Sequence, residues 1–430
     1  MRFVGGNFFA LLIVAFCDFI IIWFPIEFLT QGVAGKVLLI ITLSRFIGGL
    51  LTLGVPSANV YFSNANNDVY SGNRVATVNF FHVAVVFIFF VPLLLLLGNY
   101  FLNYFLPQLG FLDYVFLVFI SSFRAVTLLN QSLSQSRGDF KAYNFLQLRV
   151  AILSVMMGGM ALFLGFGEYW FLGFIALSNF LGNVFGATSF INAINLDLRT
   201  FKNISGFYRY GWTSYLNNLV ALAIARTDLY ILSLFLGTSV VPVYSLASLF
   251  GEKVSLISQS VGSVLFPHLS KKSREFDVDT FTKSLRIILV YSIYFNILLT
   301  IFLYIILKFM FSSEYEIALL IYLLLVPGFL GRSISSICAV ALNSLNKPHL
   351  NYRISILIFF VNLSLTIVLV KEHGLSGAAI STSIAHLCNV VVRVFTIRYC
   401  LPGFLVHSIL PRANDWLHFT QLPLGRFKFW

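Results

Sequence analysis

Charged residues are scarce in this chain of 430 residues. Asp, Glu, Lys and Arg together make up only 10% of it, whereas a typical soluble domain carries about 25%. Acidic residues are the scarcest, at 16 against 28 Lys and Arg. Such a shortage of charge excludes an ordinary water-soluble domain. Hydrophobic residues fill 59% of the chain, with 48 Phe and 19 Tyr, and this composition predicts an integral membrane protein with aromatic belts at the lipid boundary.

Cysteine and catalytic motifs are also scarce. The four cysteines lie in or beside apolar segments without CxxC spacing, so we predict neither disulfides nor a metal site; they are Cys17, Cys338, Cys388 and Cys400. The chain lacks HExxH, GxSxG, P-loop and dinucleotide-binding glycine motifs. The loops between apolar segments are short and leave no room for a soluble catalytic domain. We therefore predict no cofactor and no enzymatic activity.

The formal net charge of +12 does not point to nucleic acid, because the basic residues lie mostly in short loops between apolar segments. Each apolar segment is about as long as the roughly 20 residues that a helix needs to cross a bilayer. The fold class is therefore predicted to be all-α, with about twelve transmembrane helices at 6–29, 33–61, 76–98, 111–135, 143–165, 168–191, 210–236, 240–267, 284–309, 318–342, 350–370 and 375–399.

The orientation follows from the distribution of Lys and Arg. The first apolar segment has no Ala-x-Ala cleavage site and is interrupted by Asp18, so it is predicted to be a retained helix rather than a signal peptide. With the amino terminus in the cytoplasm, nineteen basic residues fall on the cytoplasmic side and three, Lys36, Lys308 and Lys371, on the opposite side. The positive-inside rule then places both termini in the cytoplasm.

The two halves of the chain resemble each other. QSLSQSRGDFKAY (131–143) is similar to NSLNKPHLNYR (343–353), and at about the same offset Asp18, Arg45 and Arg124 fall opposite Asp228, Lys253 and Arg332. This pattern predicts two six-helix lobes, 1–200 and 201–400, a known transporter plan, with chance similarity as the alternative. The tail 401–430 is too short to span. It is predicted to lie on the inner membrane surface, through Trp416, His418, Phe427, Lys428 and Trp430, or to be disordered.

Five cations lie deep within the predicted spans, namely Arg45, Arg124, Arg226, Lys253 and Arg332. Each costs about 3 kcal/mol at the centre of a lipid-facing helix, so they are expected to face the protein interior. Three acids, Asp18, Asp228 and Glu252, can neutralise three of them. The remaining positive charge favours an anionic substrate, because guanidinium groups bind phosphate oxygens in pairs. The five cations are thus candidate substrate contacts that converge on one hydrated cavity, and a static salt-bridge network is the alternative.

The intramembrane acids and histidines have two interpretations each. Asp18, Asp228 and Glu252 are candidates for coupling transport to a proton or sodium gradient, because buried carboxylates titrate abnormally. Pairing with nearby Arg or Lys is the alternative. His82 and His386 lie within spans and are candidates for titration near neutral pH, with a hydrogen-bonded packing role as the alternative.

Several stretches resemble one family. They begin with Arg226-x-Asp228, Gly237, Val243-Tyr244 and Pro267-His-Leu-Ser, and continue in LNQSLSQSRGDFKAYNFLQL, ALNSLNKPHLNYRISI and HGLSGAAISTSIAH. In this order they are similar to the Wzx-type bacterial polysaccharide flippases of the MATE-like MOP superfamily, over about 30–400. Members often carry an acid before the glycine of the second helix, where this chain has Leu53.

The resemblance implies a flippase of the bacterial inner membrane. Its substrate would be an undecaprenyl-pyrophosphate-linked oligosaccharide repeat unit of O-antigen or capsule, moved by alternating access. Its partners would be that lipid-linked oligosaccharide, membrane lipids and other polysaccharide assembly proteins. Two alternatives remain: a MATE-like drug/cation antiporter, whose cationic substrates suit a positive cavity poorly, and a membrane polysaccharide polymerase or ligase, which usually needs an external catalytic loop.

Overall fold

The computed structural model describes residues 2–64, 72–98, 100, 104, 107–191, 204–269, 277–345, 347–401, 403–412 and 415. Their main helices are α1 Arg2–Phe28, α2 Gln31–Leu51, α3 Val55–Asn64, α4 Gly72–Val85, α5 Val91–Leu96, α6 Phe111–Ser136, α7 Phe140–Phe163, α8 Glu168–Ile191, α9 Ile204–Ile224, α10 Thr227–Leu236, α11 Val241–Leu269, α12 Val278–Met310, α13 Ile317–Ser344 and α14 Pro348–Cys400.

The predicted all-α membrane fold is confirmed, since the described residues form helices and no strands. Ten helical segments within them are long and apolar enough to cross a membrane. Large apolar side chains are exposed along these helices, as expected for a surface that faces lipid; Phe16, Phe89, Leu96, Phe309 and Phe395 are each more than 60% exposed. The count of twelve spans and the cytoplasmic position of both termini stay predictions.

Several predicted spans are broken helices. The span 33–61 is split between α2 and α3, where Leu53 and Gly54 have φ of +46° and +80°. A leucine at positive φ is uncommon and is held there by surrounding structure. The span 210–236 is split at Arg226, between α9 and α10. In α14, Gly374 (φ +58°) separates two arms, which match the predicted spans 350–370 and 375–399.

The chain divides into two compact units, Met1–Ser245 and Leu246–Trp430. The first unit therefore contains α1 to α8 together with α9 and α10. The repeat assigns α9 and α10 to the second predicted lobe, and the lobe boundary near 200 stays a prediction. In the first unit, α3, α4, α6 and α9 bury a core around Ala58, Val75, Leu129 and Phe207. A second core joins the end of α2 to α6 through Leu51, Val86 and Ala125.

The second unit contains a buried arginine that joins three helical segments. Arg393, 6% exposed, lies on the second arm of α14. Its Nε donates to Asn389 Oδ1 (2.7 Å), its Nη1 to the Ser335 carbonyl of α13 (3.2 Å) and its Nη2 to Ser355 Oγ on the first arm (3.1 Å). All three partners are neutral. Arg393 thus acts as a polar clamp among α13 and the two arms of α14.

Replacing Arg393 with Ala is expected to destabilise the second unit. Hydrogen bonds between membrane helices are worth about 0.6 kcal/mol each on average, and the variant also removes the donor of the Asn389 Oδ1 in a buried site. We expect a loss of about 2 kcal/mol, read as a lower melting temperature of the protein in detergent. Arg398→Ala is the matched control, because Arg398 lies on the same arm and donates to the Phe404 carbonyl (3.0 Å) rather than to another helix. Equal melting temperatures for the two variants would contradict the clamp.

The first part of the tail is anchored to the second unit. Phe404 is fully buried and packs against Phe281 of α12, with ring centroids 5.5 Å apart. Arg286 of α12 forms an ion pair with Asp415 at 3.0 Å. Residues Trp416, His418, Phe427, Lys428 and Trp430, on which the membrane-surface prediction rests, lie outside the described residues, as do most of the linker 192–209 and the basic residues Lys271, Lys272 and Arg274.

Candidate functional site

Two of the predicted site residues, Asp18 of α1 and Arg45 of α2, form an ion pair. Arg45 Nη2 donates to Asp18 Oδ1 at 2.9 Å, and the two side chains are 32% and 19% exposed. The pair is therefore not sealed in the core. Asp18 and Arg45 are 27 residues apart, and the apolar periodicity of the two helices gave no indication of this contact.

Arg124 of α6 joins this pair. It lies within electrostatic range of both Asp18 and Arg45, and its side chain packs at Gly48, where an added methyl group would lie 3.0 Å from the Arg124 Cβ. Gly48 thus allows α6 to approach α2 one turn after Arg45. Asp18, Arg45 and Arg124 together form what we call the first cation cluster. Two guanidinium groups and one carboxylate give these three side chains an excess of one positive charge.

Arg226 and Asp228 lie at the break between α9 and α10. Arg226 is the residue before α10, with φ −131° and ψ −10°. Asp228 is buried, at 5% exposed, and its two carboxylate oxygens accept bonds from the Leu229 amide (2.8 Å) and the Tyr244 hydroxyl (2.6 Å). A carboxylate in the first turn of a helix also interacts favourably with the helix dipole.

The sequence did not lead us to predict Tyr244 as the partner of Asp228. A signal existed, because Asp228 and Tyr244 lie nine and seven residues on either side of Gly237, the turn between two antiparallel segments. Residues at similar distances from a tight turn face each other in a helical hairpin. The ion pair of Lys36 with Asp113 (3.5 Å) was not predicted either, because it joins α2 to α6, which are not neighbours along the chain.

The remaining predicted residues, Glu252, Lys253 and Arg332, belong to the second unit. Glu252 and Lys253 are half-buried on α11. Their neighbour Gly251 packs directly against the Phe329 ring of α13, and an added methyl group there would overlap that ring. Phe329 lies one turn before Arg332, so close packing at Gly251 sets the approach of α11 to the part of α13 that carries Arg332.

The two intramembrane histidines differ. His82 is 2% exposed, and both of its ring nitrogens have partners, the Tyr208 hydroxyl at 3.2 Å and the Leu51 carbonyl at 2.9 Å. His386 is buried beside Arg332, and its Nδ1 makes no hydrogen bond within the described part of the chain. The packing interpretation therefore suits His82, whereas His386 is a polar group next to a candidate substrate contact.

No group of three or more His, Cys, Asp and Glu side chains within the described ranges could hold a metal ion. The candidate site in this part of the chain therefore consists of hydrogen-bond donors and charged side chains. Guanidinium groups on α2 and α6 can bind an anion through charge-assisted hydrogen bonds.

Two curated relatives match about half of the chain. A probable low-salt glycan biosynthesis flippase from Haloferax volcanii is 27% identical over 199 residues, which are 45% of this chain and 42% of the relative. A putative O-antigen transporter from Shigella flexneri is 29% identical over 199 residues, 45% of this chain and 46% of the relative. The matched segment thus spans less than half the length of each relative.

Solved structures show the same fold. A lipid II flippase MurJ in an inward closed conformation gives a TM-score of 0.72 at 16% identity, covering 100% of this chain and 94% of that one. An inward-facing multidrug resistance MATE family transporter of the MOP superfamily gives 0.67 at 13% identity, covering 89% and 94%. At this identity the likeness establishes the fold alone, which is the predicted MATE-like fold.

The family assignment rests on a longer match. Residues 12–320 match the family described as polysaccharide biosynthesis protein, which is more than half of the chain and includes the first cation cluster, the break at Arg226 and the pair Glu252 and Lys253. The predicted resemblance to polysaccharide flippases agrees with this match and with the names of the two relatives, a flippase and a transporter. The chain belongs to the polysaccharide biosynthesis protein family of integral membrane proteins.

Proposed function

We propose that this protein is a flippase that moves undecaprenyl-pyrophosphate-linked oligosaccharide repeat units, of O-antigen or capsule, across the bacterial inner membrane by alternating access. The observation that carries the proposal is the first cation cluster. Asp18, Arg45 and Arg124 place an excess positive charge within predicted membrane spans, and a pyrophosphate group is an anion that paired guanidinium groups bind well. The family membership and the name of the putative O-antigen transporter support the same substrate class.

The proposal assigns a role to each predicted site residue. Arg45 and Arg124 bind the pyrophosphate or the first sugars, and Arg226, Lys253 and Arg332 are further contacts for the same groups. Asp18, Asp228 and Glu252 limit the charge excess, so that the substrate is released after crossing. The lipid tail stays in the bilayer, while the oligosaccharide crosses through a hydrated cavity between the predicted lobes.

Complementation tests the proposal. The protein is expressed in a bacterium that lacks its own O-antigen flippase but makes a suitable lipid-linked repeat unit. We expect surface polysaccharide to return and lipid-linked units to reach the outer leaflet. Normal insertion of the protein without either result, in hosts that make several different repeat units, would contradict it. Drug resistance on overexpression without any polysaccharide effect would support an antiporter instead.

A paired substitution distinguishes substrate binding from simple pairing at Asp18 and Arg45. Asp18→Asn with Arg45→Gln removes both charges and keeps two side chains that can hydrogen-bond at the 2.9 Å contact. If the pair only joins α1 to α2, polysaccharide export should stay near wild type. We expect instead a loss of about ten-fold or more, because a hydrogen bond to a charged group is worth about 1.5–3 kcal/mol. The protein level in the membrane, measured by immunoblot, is the control for folding.

A further inference from the structure

The break between α2 and α3 deprives backbone carbonyls of their usual helical donors, and side chains from other helices bond to these carbonyls instead. In a continuous helix the Val55 amide would bond the Leu51 carbonyl, but here it bonds the Thr52 carbonyl at 3.0 Å. The Leu53 amide reaches the Leu50 carbonyl only at 3.3 Å. Buried carbonyls inside a membrane need partners, since lipid supplies none.

Two side chains supply those partners. The Tyr215 hydroxyl of α9 donates to the Leu50 carbonyl at 2.7 Å. His82 of α4 donates from Nε2 to the Leu51 carbonyl at 2.9 Å. Because a carbonyl can only accept, Nε2 carries the proton in this contact. Nδ1 of the neutral ring is then the acceptor for the Tyr208 hydroxyl of α9, 3.2 Å away.

The helix backbones also touch at this level. A methyl group added at Gly211 of α9 would lie 2.9 Å from the Gly54 carbonyl oxygen and 3.6 Å from the Ala58 Cβ. Gly54 has φ +80°, a conformation that glycine adopts without strain. The two glycines thus bring α9 against the broken helix, and Tyr208, Tyr215 and His82 close the contact with hydrogen bonds.

We propose that this contact, the α9 latch formed by Tyr208 and Tyr215 with His82 and the Leu50 and Leu51 carbonyls, is a gate that opens and closes in each transport cycle. The inference rests on the proposed function. By the repeat, α2 to α4 belong to the first predicted lobe and α9 to the second, so the latch crosses their boundary. In the predicted topology it lies in the cytoplasmic half of the membrane, where a cavity must open to admit the substrate.

The hydrogen bonds make the gate reversible. When α9 moves away, the Leu50 carbonyl and the Tyr215 hydroxyl can bond to water entering the cavity, so opening exchanges partners rather than losing them. The Leu53 and Gly54 break absorbs the backbone change, as hinge residues do. His82 stays with the first predicted lobe as a positioning residue that holds the Leu51 carbonyl in place.

A thiol-reactivity experiment tests the latch. The native cysteines are replaced, and Ala58→Cys, at a fully buried position, reports opening. Tyr215→Phe in this background should raise the labelling rate of the introduced cysteine at least about three-fold, the change that corresponds to one average hydrogen bond between membrane helices. Tyr114→Phe is the matched control, since its hydroxyl also bonds a backbone carbonyl, of Leu94 at 2.8 Å, within the first predicted lobe. Equal labelling rates in Tyr215→Phe and Tyr114→Phe would overturn the proposal.

A cross-link provides the second measurement. Cysteines introduced by Ala58→Cys and Gly211→Cys would have Cβ atoms about 3.6 Å apart, within the range of disulfides. Oxidation should stop polysaccharide export and reduction should restore it. Export at an unchanged rate by the oxidised, fully cross-linked protein would also overturn the gate. Should Gly211→Cys fail to reach the membrane, the Tyr215→Phe labelling result decides alone.

The two proposals fail in different ways. The latch is tested by cysteine labelling and cross-linking, and labelling needs no knowledge of the substrate. The flippase proposal is tested by polysaccharide export by the wild-type chain. A wild-type chain that never exports polysaccharide, yet shows latch-dependent labelling, would overturn the flippase and leave the gate. Normal export with labelling that is insensitive to Tyr215→Phe would overturn the gate and leave the flippase.

Discussion

Replacing Arg124 with Gln is expected to abolish polysaccharide export while leaving the protein in the membrane. Asp18 neutralises Arg45 at 2.9 Å, so Arg124 carries the excess positive charge of the first cation cluster. Without it, the cluster holds one cation and one anion and has no net attraction for pyrophosphate. The lost charge-assisted bonds are worth about 1.5–3 kcal/mol each, and two of them to one phosphate would lower export by roughly a hundred-fold or more.

Two further variants make the Arg124 result specific. Arg124→Lys keeps the charge but loses the planar fork, so partial export is expected. Arg149→Gln is the matched control, because Arg149 is also an arginine of the first unit, with its guanidinium over the Phe145 ring at 4.5 Å and Nη1 3.4 Å from the Gly182 carbonyl. Export of labelled lipid-linked units is compared at equal protein levels. Wild-type export by Arg124→Gln would remove the first cation cluster from the mechanism.

The helices could be predicted because the signal for them is local. A run of apolar residues long enough to cross a bilayer has few alternatives to a helix, since the backbone must satisfy its own hydrogen bonds there. The intramembrane charges stood out for a related reason. Charge at that depth is rare and costly, so Arg45 and Arg124 could be singled out before any contact was known.

The breaks and the pairings could not be predicted in the same way, because tertiary contacts decide them. Leu53 adopts φ +46° although nothing in its own sequence favours it, and the neighbouring contact of Gly54 with Gly211 involves residues more than 150 positions apart. The partner of Arg45 was open among three acids, and only the packing of α1 on α2 selects Asp18. Tyr244 became visible as a partner of Asp228 once the hairpin at Gly237 was in place.

Replacing Gly35 with Ala is expected to lower the stability of the first unit more than a methyl group added at any other glycine discussed above. Gly35 of α2 lies against the backbone of Thr238, in the turn that follows α10, and an added Cβ would overlap the Thr238 carbonyl oxygen. A backbone atom cannot rotate away as a side chain can, so α2 and the turn must separate. Overpacking of this kind costs about 1–3 kcal/mol and sometimes more, and separation would also break the bond from Thr238 Oγ1 to the Gly32 carbonyl (3.1 Å).

Gly32→Ala is the matched control on the same helix. No atom lies within 4 Å of a methyl group at Gly32, and the carbonyl that accepts from Thr238 is kept. Because Ala favours a helix over Gly by about 1 kcal/mol, Gly32→Ala should melt at or slightly above the wild-type temperature in detergent, whereas Gly35→Ala should melt several degrees below it. If both variants melt alike, α2 does not lie against Thr238 as closely as the structure has it. The carboxyl-terminal end of α10 would then be free to move without crossing a packing barrier at Gly35.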